Sequence, residues 1–131
     1  FWRKEDDMGA PCVIAMRNGE DLYRWIFSPY DGNIQSAGRM LFDHYDTREK
    51  VERLLDNGDI DLLAPAVEEC EPLSERSPYY SGGQGSKDEL PMFGELHTYI
   101  WRDGYGWGCK PMLWEAVMPL NLLLGVENPW V

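Results

Sequence analysis

The sequence is poor in histidine and cysteine, and this shortage excludes several kinds of site. It contains two histidines and three widely spaced cysteines, Cys12, Cys70 and Cys109, with no C-x-x-C pair. A structural zinc site is therefore not expected, and no pattern for a bound cofactor is recognisable. Isolated thiols in odd number are typical of a reducing compartment, so all three are predicted to be reduced.

Basic residues are also scarce, and this shortage restricts the partners. Twelve Lys and Arg stand against 23 Asp and Glu, a formal net charge of −11 at pH 7. Such a charge repels nucleic acid but is compatible with a basic protein partner. Long apolar runs are missing too, since none approaches the roughly 18 residues of a membrane span. We therefore expect no direct nucleic-acid binding, no membrane insertion and a cytoplasmic location; the oligomeric state stays open.

The length and composition fit one domain with a sizeable core. The chain has 131 residues, 44% of them hydrophobic and 13% aromatic, which is within the usual range for a single domain. Residues 1–10 are predicted to be a charged, weakly ordered leader, and residues 11–131 a single domain with a long Pro-, Ser- and Gly-rich loop at about 72–90. Two natural starts are open, Phe1 and Met8.

Two turn dipeptides predict β-hairpins. Asn18-Gly19 lies between the apolar segments 11–17 and 21–29, and Asp103-Gly104 lies between 94–101 and 105–110. Both dipeptides tolerate positive φ and favour tight turns, type I′ at the first. The apolar residues of 34–45 and 47–57 recur at helical spacing, with Asp46 or Thr47 as the cap of the second helix. The predicted fold is α+β, a small antiparallel sheet of two hairpins packed by two or three short helices.

Less regular segments give weaker predictions. Ile60, Leu62 and Leu63 are expected to extend the core beyond the second helix, together with its buried residues Val51, Leu54 and Leu55. Residues 112–118 have the spacing of a short helix, and the tail to Val131 is expected to pack as an extended segment.

The second hairpin concentrates aromatic side chains on one face. Its first strand alternates His97, Tyr99 and Trp101, and its partner contributes Tyr105 and Trp107. Such a face is either part of the core or a surface that stacks on a ligand or a protein. Both interpretations remain open from the sequence.

The segment from 42 to 65 is the most acidic amphipathic stretch. Glu49, Glu52 and Asp56 fall within about one quadrant of a helical wheel, opposite the apolar residues, and Asp59 and Asp61 continue the negative charge. The stretch is either a solvated face or a surface that imitates the phosphate line of a nucleic acid and occupies a basic groove of another protein.

No catalytic arrangement is recognisable. Residues 81–87 resemble a phosphate-binding loop only superficially, because Lys87 follows a serine and is not followed by Ser or Thr. The serines and cysteines lie outside any nucleophile motif. The sequence therefore favours a binding protein over an enzyme.

The segment from Trp25 to Pro65 resembles a group of small, mostly uncharacterised phage and prophage proteins. An aromatic strand leads into a Tyr-Asp-Gly turn and a helix with small residues, and an aromatic hairpin follows later. The matching residues are Tyr30-Asp31-Gly32, Gly38, Leu41, His44-Tyr45, Arg48-Glu49-Lys50-Val51, Leu54-Leu55, Gly58-Asp59-Ile60, Leu62 and Pro65, with "HTYIWRDGYGW" after them. The resemblance implies a genomic setting and assigns no residue a role.

Three functions are compatible with these observations. The first is an acidic phage accessory protein that binds a host protein without catalysis, plausibly inhibiting a defence or nucleic-acid-processing complex. The second is a module that binds a small ligand or a nucleotide through the aromatic hairpin. The third is a minor structural or assembly protein of the virion.

Overall fold

The computed structural model describes residues 10–74, 81–92, 94 and 96–130. In these ranges the fold is α+β and its main sheet has six strands in the order β5-β2-β1-β6-β7-β8. Two further strands, β3 and β4, form a separate small sheet. The strands are β1 (Cys12–Arg17), β2 (Tyr23–Ser28), β3 (Ile60–Leu62), β4 (Glu71–Pro72), β5 (Gly83–Gly85), β6 (His97–Arg102), β7 (Gly106–Lys110) and β8 (Met118–Pro119).

The helices are short. A π-helical turn, Ile34–Gly38, continues directly into α1 (Arg39–His44), and α2 spans Arg48–Asp56. A 3₁₀ turn covers Val67–Glu69, and α3 spans Leu120–Leu124. None of the helices within the described ranges has the length and apolar character needed to span a lipid bilayer.

The prediction of a sheet made of two hairpins is wrong in its topology. The hairpins β1–β2 and β6–β7 are present, but their first strands β1 and β6 pair in parallel and join them into one mixed sheet. Short strands β5 and β8 then extend both edges. The turn dipeptides specify only local antiparallel pairs, whereas the parallel contact joins residues 85 positions apart, such as Cys12 and His97.

The two predicted turns differ in length. Asp103-Gly104 lies in a three-residue connection with Gly104 at φ +82°, as expected for a tight turn. Asn18-Gly19 begins a five-residue connection, 18–22, which Asn18 closes by donating its N–H to the carbonyl of Leu22. Gly19 has a positive φ of +137°, but the predicted type I′ turn is wrong because such a turn has only two residues between the strands.

The predicted second helix with Thr47 as its cap is confirmed. The Thr47 hydroxyl accepts the N–H of Lys50, and Val51, Leu54 and Leu55 are buried. Gly58 follows the helix with φ +85°, a left-handed conformation in which helices commonly end. The helix therefore packs its apolar stripe against β1 and β2.

The sheet has a core on each face. On β1, Cys12, Ile14 and Met16 face the helices, whereas Val13 and Ala15 face the opposite side. That second side is covered in part by Leu90 and Leu96, which come from the chain before β6. Because both faces of the central strand are buried, nearly every residue of β1 is apolar.

Several predictions outside these elements are wrong. Residues 112–118 form turns and the start of β8 instead of a helix, with Leu113 at φ +70° and 81% exposed. The tail is not extended throughout, because α3 occupies Leu120–Leu124. Leu62 is 41% exposed, although Ile60 before it is buried. The loop predicted at 72–90 contains β5, and its residues 75–80, like residues 1–9 of the predicted leader, lie outside the described ranges.

All three cysteines are free and buried. Burial raises the pKa of the Cys109 thiol to about 12 and raises that of Cys12 further. The Sγ atom of Cys70 accepts the N–H of Ala64, and it lies 3.5 Å from the hydroxyl of Tyr45. The thiols therefore act as small core side chains in this fold.

Candidate functional site

The outer surface of α2 is charge-balanced. Of the predicted acidic residues, Glu49 is exposed, Glu52 pairs with Arg48 at 3.5 Å and Asp56 pairs with Arg24 at 2.8 Å. The nine residues of the helix contain three acidic and three basic side chains. The helix by itself therefore presents no uniform line of negative charge.

Asp59 and Asp61 were predicted to continue the negative charge beyond the helix. Instead, both carboxylates accept hydrogen bonds from neighbouring segments of the chain. Asp59 accepts the backbone N–H of Phe27 at 2.8 Å with one carboxylate oxygen and that of Gly82 at 3.1 Å with the other. Asp61 accepts both the N–H and the hydroxyl of Ser74. Both carboxylates are half-buried and satisfy donors of the fold.

We predict that Asp59→Ala destabilises the protein and that Asp56→Ala hardly does. Loss of the Asp59 carboxylate removes two charge-assisted hydrogen bonds, for which we expect a cost of about 1.5–3 kcal/mol. Asp56 makes an exposed ion pair, worth about 0–1 kcal/mol. Urea unfolding of both variants measures the difference; equal losses of stability would show that Asp59 does not hold β2 to the segment at Gly82.

The aromatic residues of the second hairpin are mostly core. Tyr99, Trp101 and Trp107 are buried, and each donates its polar hydrogen inside the protein. The acceptors are the carbonyls of Gly32 for Tyr99 and Tyr45 for Trp107, and a carboxylate oxygen of Asp103 for Trp101. His97 is also buried, whereas Tyr105 at the hairpin tip is 64% exposed. The predicted face therefore does not form a continuous exposed surface.

His97 is held in its neutral form. Its Nδ1 accepts the N–H of Met112 at 3.0 Å, which a protonated nitrogen cannot do. Burial, with the positive charge of Lys110, lowers the pKa of His97 below its ordinary value of 6.5. The unfolded chain therefore binds a proton at a higher pH than the folded protein does.

This difference predicts a pH-dependent stability. The contribution of His97 is complete above about pH 6.5 and is lost as the pH falls below that value, because only the unfolded state gains a proton. In urea unfolding at pH 7 and pH 5, the parent should lose more stability than His97→Gln does. A His44→Gln variant is the control, since His44 is exposed; if His97→Gln keeps the full pH dependence of the parent, the assignment is wrong.

A cleft beside the Tyr30-Asp31-Gly32 turn is a feature that the sequence did not reveal. Its volume is about 360 Å³, and we call it the apolar cleft because aliphatic side chains from β1, α1 and β3 form much of it. It is lined by Cys12, Ile14, Ser28, Tyr30, Asp31, Gln35, Ser36, Ala37, Arg39, Met40, Asp43, His44, Leu62 and Leu63. Its size is within the range of sites that bind small molecules or peptide side chains.

The turn at the edge of the cleft is held firmly. The N–H of Gly32 donates to the carbonyl of Ala10 at 2.7 Å, and the Tyr99 hydroxyl donates to the carbonyl of Gly32 at 2.7 Å. Asp31 has φ +54°, a left-handed conformation that Asp tolerates better than most residues. These bonds fix the position of the Asp31 backbone at the rim.

Carboxylates outnumber cations around the cleft. Asp31 and Asp43 line it, and the one arginine of the lining, Arg39, lies 3.9 Å from Asp43. Glu71 is exposed on β4, opposite Leu62 of the cleft wall. The surroundings of the apolar cleft are therefore negative as well as partly apolar.

A neighbouring groove past the cleft carries charges of both signs. Asp43 and Glu68 line it together with Lys50 and Arg53. A hydrogen bond from its own backbone amide, together with Arg53, lowers the pKa of Glu68, and Glu69 beside it is exposed. The acidic surface is thus centred on the segment after α2, where the chain from 54 to 74 has no Lys or Arg.

Within the described ranges, no group of three or more His, Cys, Asp or Glu is arranged to hold a metal ion. No protein-family model, curated protein or solved structure matches the chain.

Proposed function

We propose that this chain is a small acidic accessory protein of a phage or prophage that acts in the bacterial cytoplasm by binding a basic host protein. The observation that carries the proposal is the apolar cleft with its carboxylate rim. The proposed phage origin depends only on the resemblance of residues 25–65 and of the later aromatic hairpin, residues 97–107. Covering a basic surface of a defence or nucleic-acid-processing complex would inhibit that complex.

The composition of the cleft supports a protein ligand with an apolar anchor. Leu62 and Tyr30 are exposed at 41% and 36%, although both line the cleft. An apolar side chain of the partner would bury them, which is the arrangement of an interface hot spot. Lys or Arg beside that anchor would meet Asp31, Asp43 and Glu71 at the rim.

The net charge supports the same partner. A chain with a formal charge of −11 attracts a basic protein over a Debye length and accelerates the encounter, while the local rim determines which patch is contacted. These two contributions are separable, because one depends on the total charge and the other on the position of the carboxylates.

Affinity capture from a bacterial host lysate tests the proposal with two triple variants of equal charge. The first, Asp31→Asn/Asp43→Asn/Glu71→Gln, neutralises the rim with nearly isosteric side chains. The second, Asp88→Asn/Glu115→Gln/Glu127→Gln, removes the same charge at exposed positions outside the cleft lining. We expect capture by the first to fall at least about tenfold and capture by the second to stay near that of the parent.

The outcomes are distinct. If both variants capture the partner as well as the parent does, the cleft is not the contact surface. Equal loss in both variants would mean that only the total charge matters, which also contradicts a defined site. Capture by a Leu62→Lys variant is a second test of the cleft, because Leu62 is exposed enough to be replaced without unfolding the protein.

A further inference from the structure

A second cleft lies at the opposite end of β1 and is lined by three arginines. The parallel strands β1 and β6 end at Arg17 and Arg102, and the connections 18–22 and 103–105 follow them. Arg48, the first residue of α2, reaches between these connections. The resulting cavity of about 340 Å³, here called the arginine cleft, is lined by Arg17, Gly19, Glu20, Arg48, Arg102, Asp103 and Tyr105.

Two of its three arginines have no carboxylate partner among the described residues. Among the described residues, Arg17 donates to the backbone carbonyls of Gly19 at 2.7 Å and Glu20 at 3.1 Å. The Nε atom of Arg102 is buried and finds no hydrogen-bond acceptor in the described part of the chain. A buried donor without an acceptor is costly, so the Arg102 side chain would gain from a rearrangement that brings it to an anionic acceptor.

The third arginine has a structural task. Arg48 pairs with Asp103 at 2.6 Å and with Glu52 at 3.5 Å, and it also donates to Asn18. These bonds tie the two hairpin connections to α2. The lining contains three guanidinium groups and the carboxylates of Glu20 and Asp103. Because Arg48 is paired with Asp103 and Glu52, Arg17 and Arg102 are the cations of the cleft without a carboxylate partner among the described residues.

An exposed aromatic ring completes the site. Tyr105 is 64% exposed, and the guanidinium carbon of Arg102 lies 5.5 Å from the centroid of its ring. Burial cannot be the reason for an aromatic residue at this position. A tyrosine ring at the edge of a cationic cleft can stack on a planar group of a ligand.

We propose that the arginine cleft binds a mononucleotide, with its phosphate on Arg17 and Arg102 and its base against Tyr105. Guanidinium groups bind phosphate oxygens through paired, charge-assisted hydrogen bonds. The cavity of about 340 Å³ is at the lower end of the range for small-ligand sites. The site shares no lining residue with the apolar cleft, so it stands independently of the proposed partner binding.

Calorimetric titration with AMP, adenosine and inorganic phosphate tests the assignment. The parent should bind AMP with a dissociation constant below about 1 mM, and adenosine or phosphate at least about tenfold more weakly. Arg17→Gln should weaken AMP binding about tenfold or more, and Tyr105→Ala should weaken AMP binding without changing phosphate binding. Arg53→Gln and Trp114→Ala are the controls, an exposed arginine and an exposed aromatic residue outside both clefts.

Three results would overturn the proposal. The first is no heat of binding with AMP at about 5 mM, well above the range of a functional site. The second is equal affinity for AMP and phosphate with no effect of Tyr105→Ala, which would exclude base stacking. The third is an equal loss of AMP affinity in Arg17→Gln and Arg53→Gln, which would show that only the total charge of the protein matters. Urea midpoints of all variants confirm that each is folded.

Discussion

Replacement of Leu54 by alanine is expected to lower the free energy of unfolding by about 2–5 kcal/mol. Leu54 has no exposed surface and lies in the core cluster between α2 and the sheet. Removal of its isobutyl group takes away apolar burial and leaves a cavity, because the sheet beneath the helix cannot relax fully. Urea unfolding at pH 7 measures the loss.

Leu62→Ala is the matched control for this prediction. The same atoms are removed from a leucine that is 41% exposed, so less apolar surface is lost and we expect a change of no more than about 1 kcal/mol. If Leu54→Ala costs less than about 1 kcal/mol, α2 packs loosely on the sheet, and the described position of the helix is wrong.

Replacement of Gly32 by alanine is expected to cost at least about 2 kcal/mol. A Cβ atom at Gly32 would lie 2.5 Å from the carbonyl oxygen of Ala10 and 2.7 Å from the Cβ of Cys12. Backbone atoms cannot move aside as the end of a flexible side chain can. The turn would have to shift, and its hydrogen bonds to Ala10 and Tyr99 would be strained or lost.

Gly94→Ala is the control for Gly32→Ala. A Cβ at Gly94 would meet no atom within 4 Å. The stability of the Gly94→Ala variant should therefore stay within about 0.5 kcal/mol of the parent. Because Asp31 precedes Gly32, the Gly32→Ala variant should also lose capture of the partner. If Gly32→Ala keeps the full stability of the parent, the turn does not pack tightly against β1.

Local chemistry made the helices and hairpins predictable. The Thr47 cap and the spacing of Val51, Leu54 and Leu55 define α2, and Gly104 defines the tight turn of the second hairpin. These signals involve residues within a few positions of one another. The parallel pairing of β1 with β6 depends on contacts between distant segments, and no short pattern encodes it.

The candidate sites were harder to predict for the same reason. The helical wheel identified Glu49, Glu52 and Asp56, but not the pairing of Asp56 with Arg24 on β2. The sequence shows that Asp59 is acidic, but it does not show that its carboxylate accepts the N–H groups of Phe27 and Gly82. Both clefts are built from segments far apart in the chain, so only the fold brings their residues together.

The proposal that the apolar cleft receives a basic partner is tested most directly by methyl NMR of the captured complex. The protein, labelled at Ile, Leu, Val and Met methyl groups, is titrated with the partner at constant ionic strength. We predict the largest shifts at Met40, Leu62 and Leu63, with little change at Val13 on the opposite face of the sheet. Unchanged methyl resonances at Leu62 and Leu63 in the saturated complex would contradict the proposal.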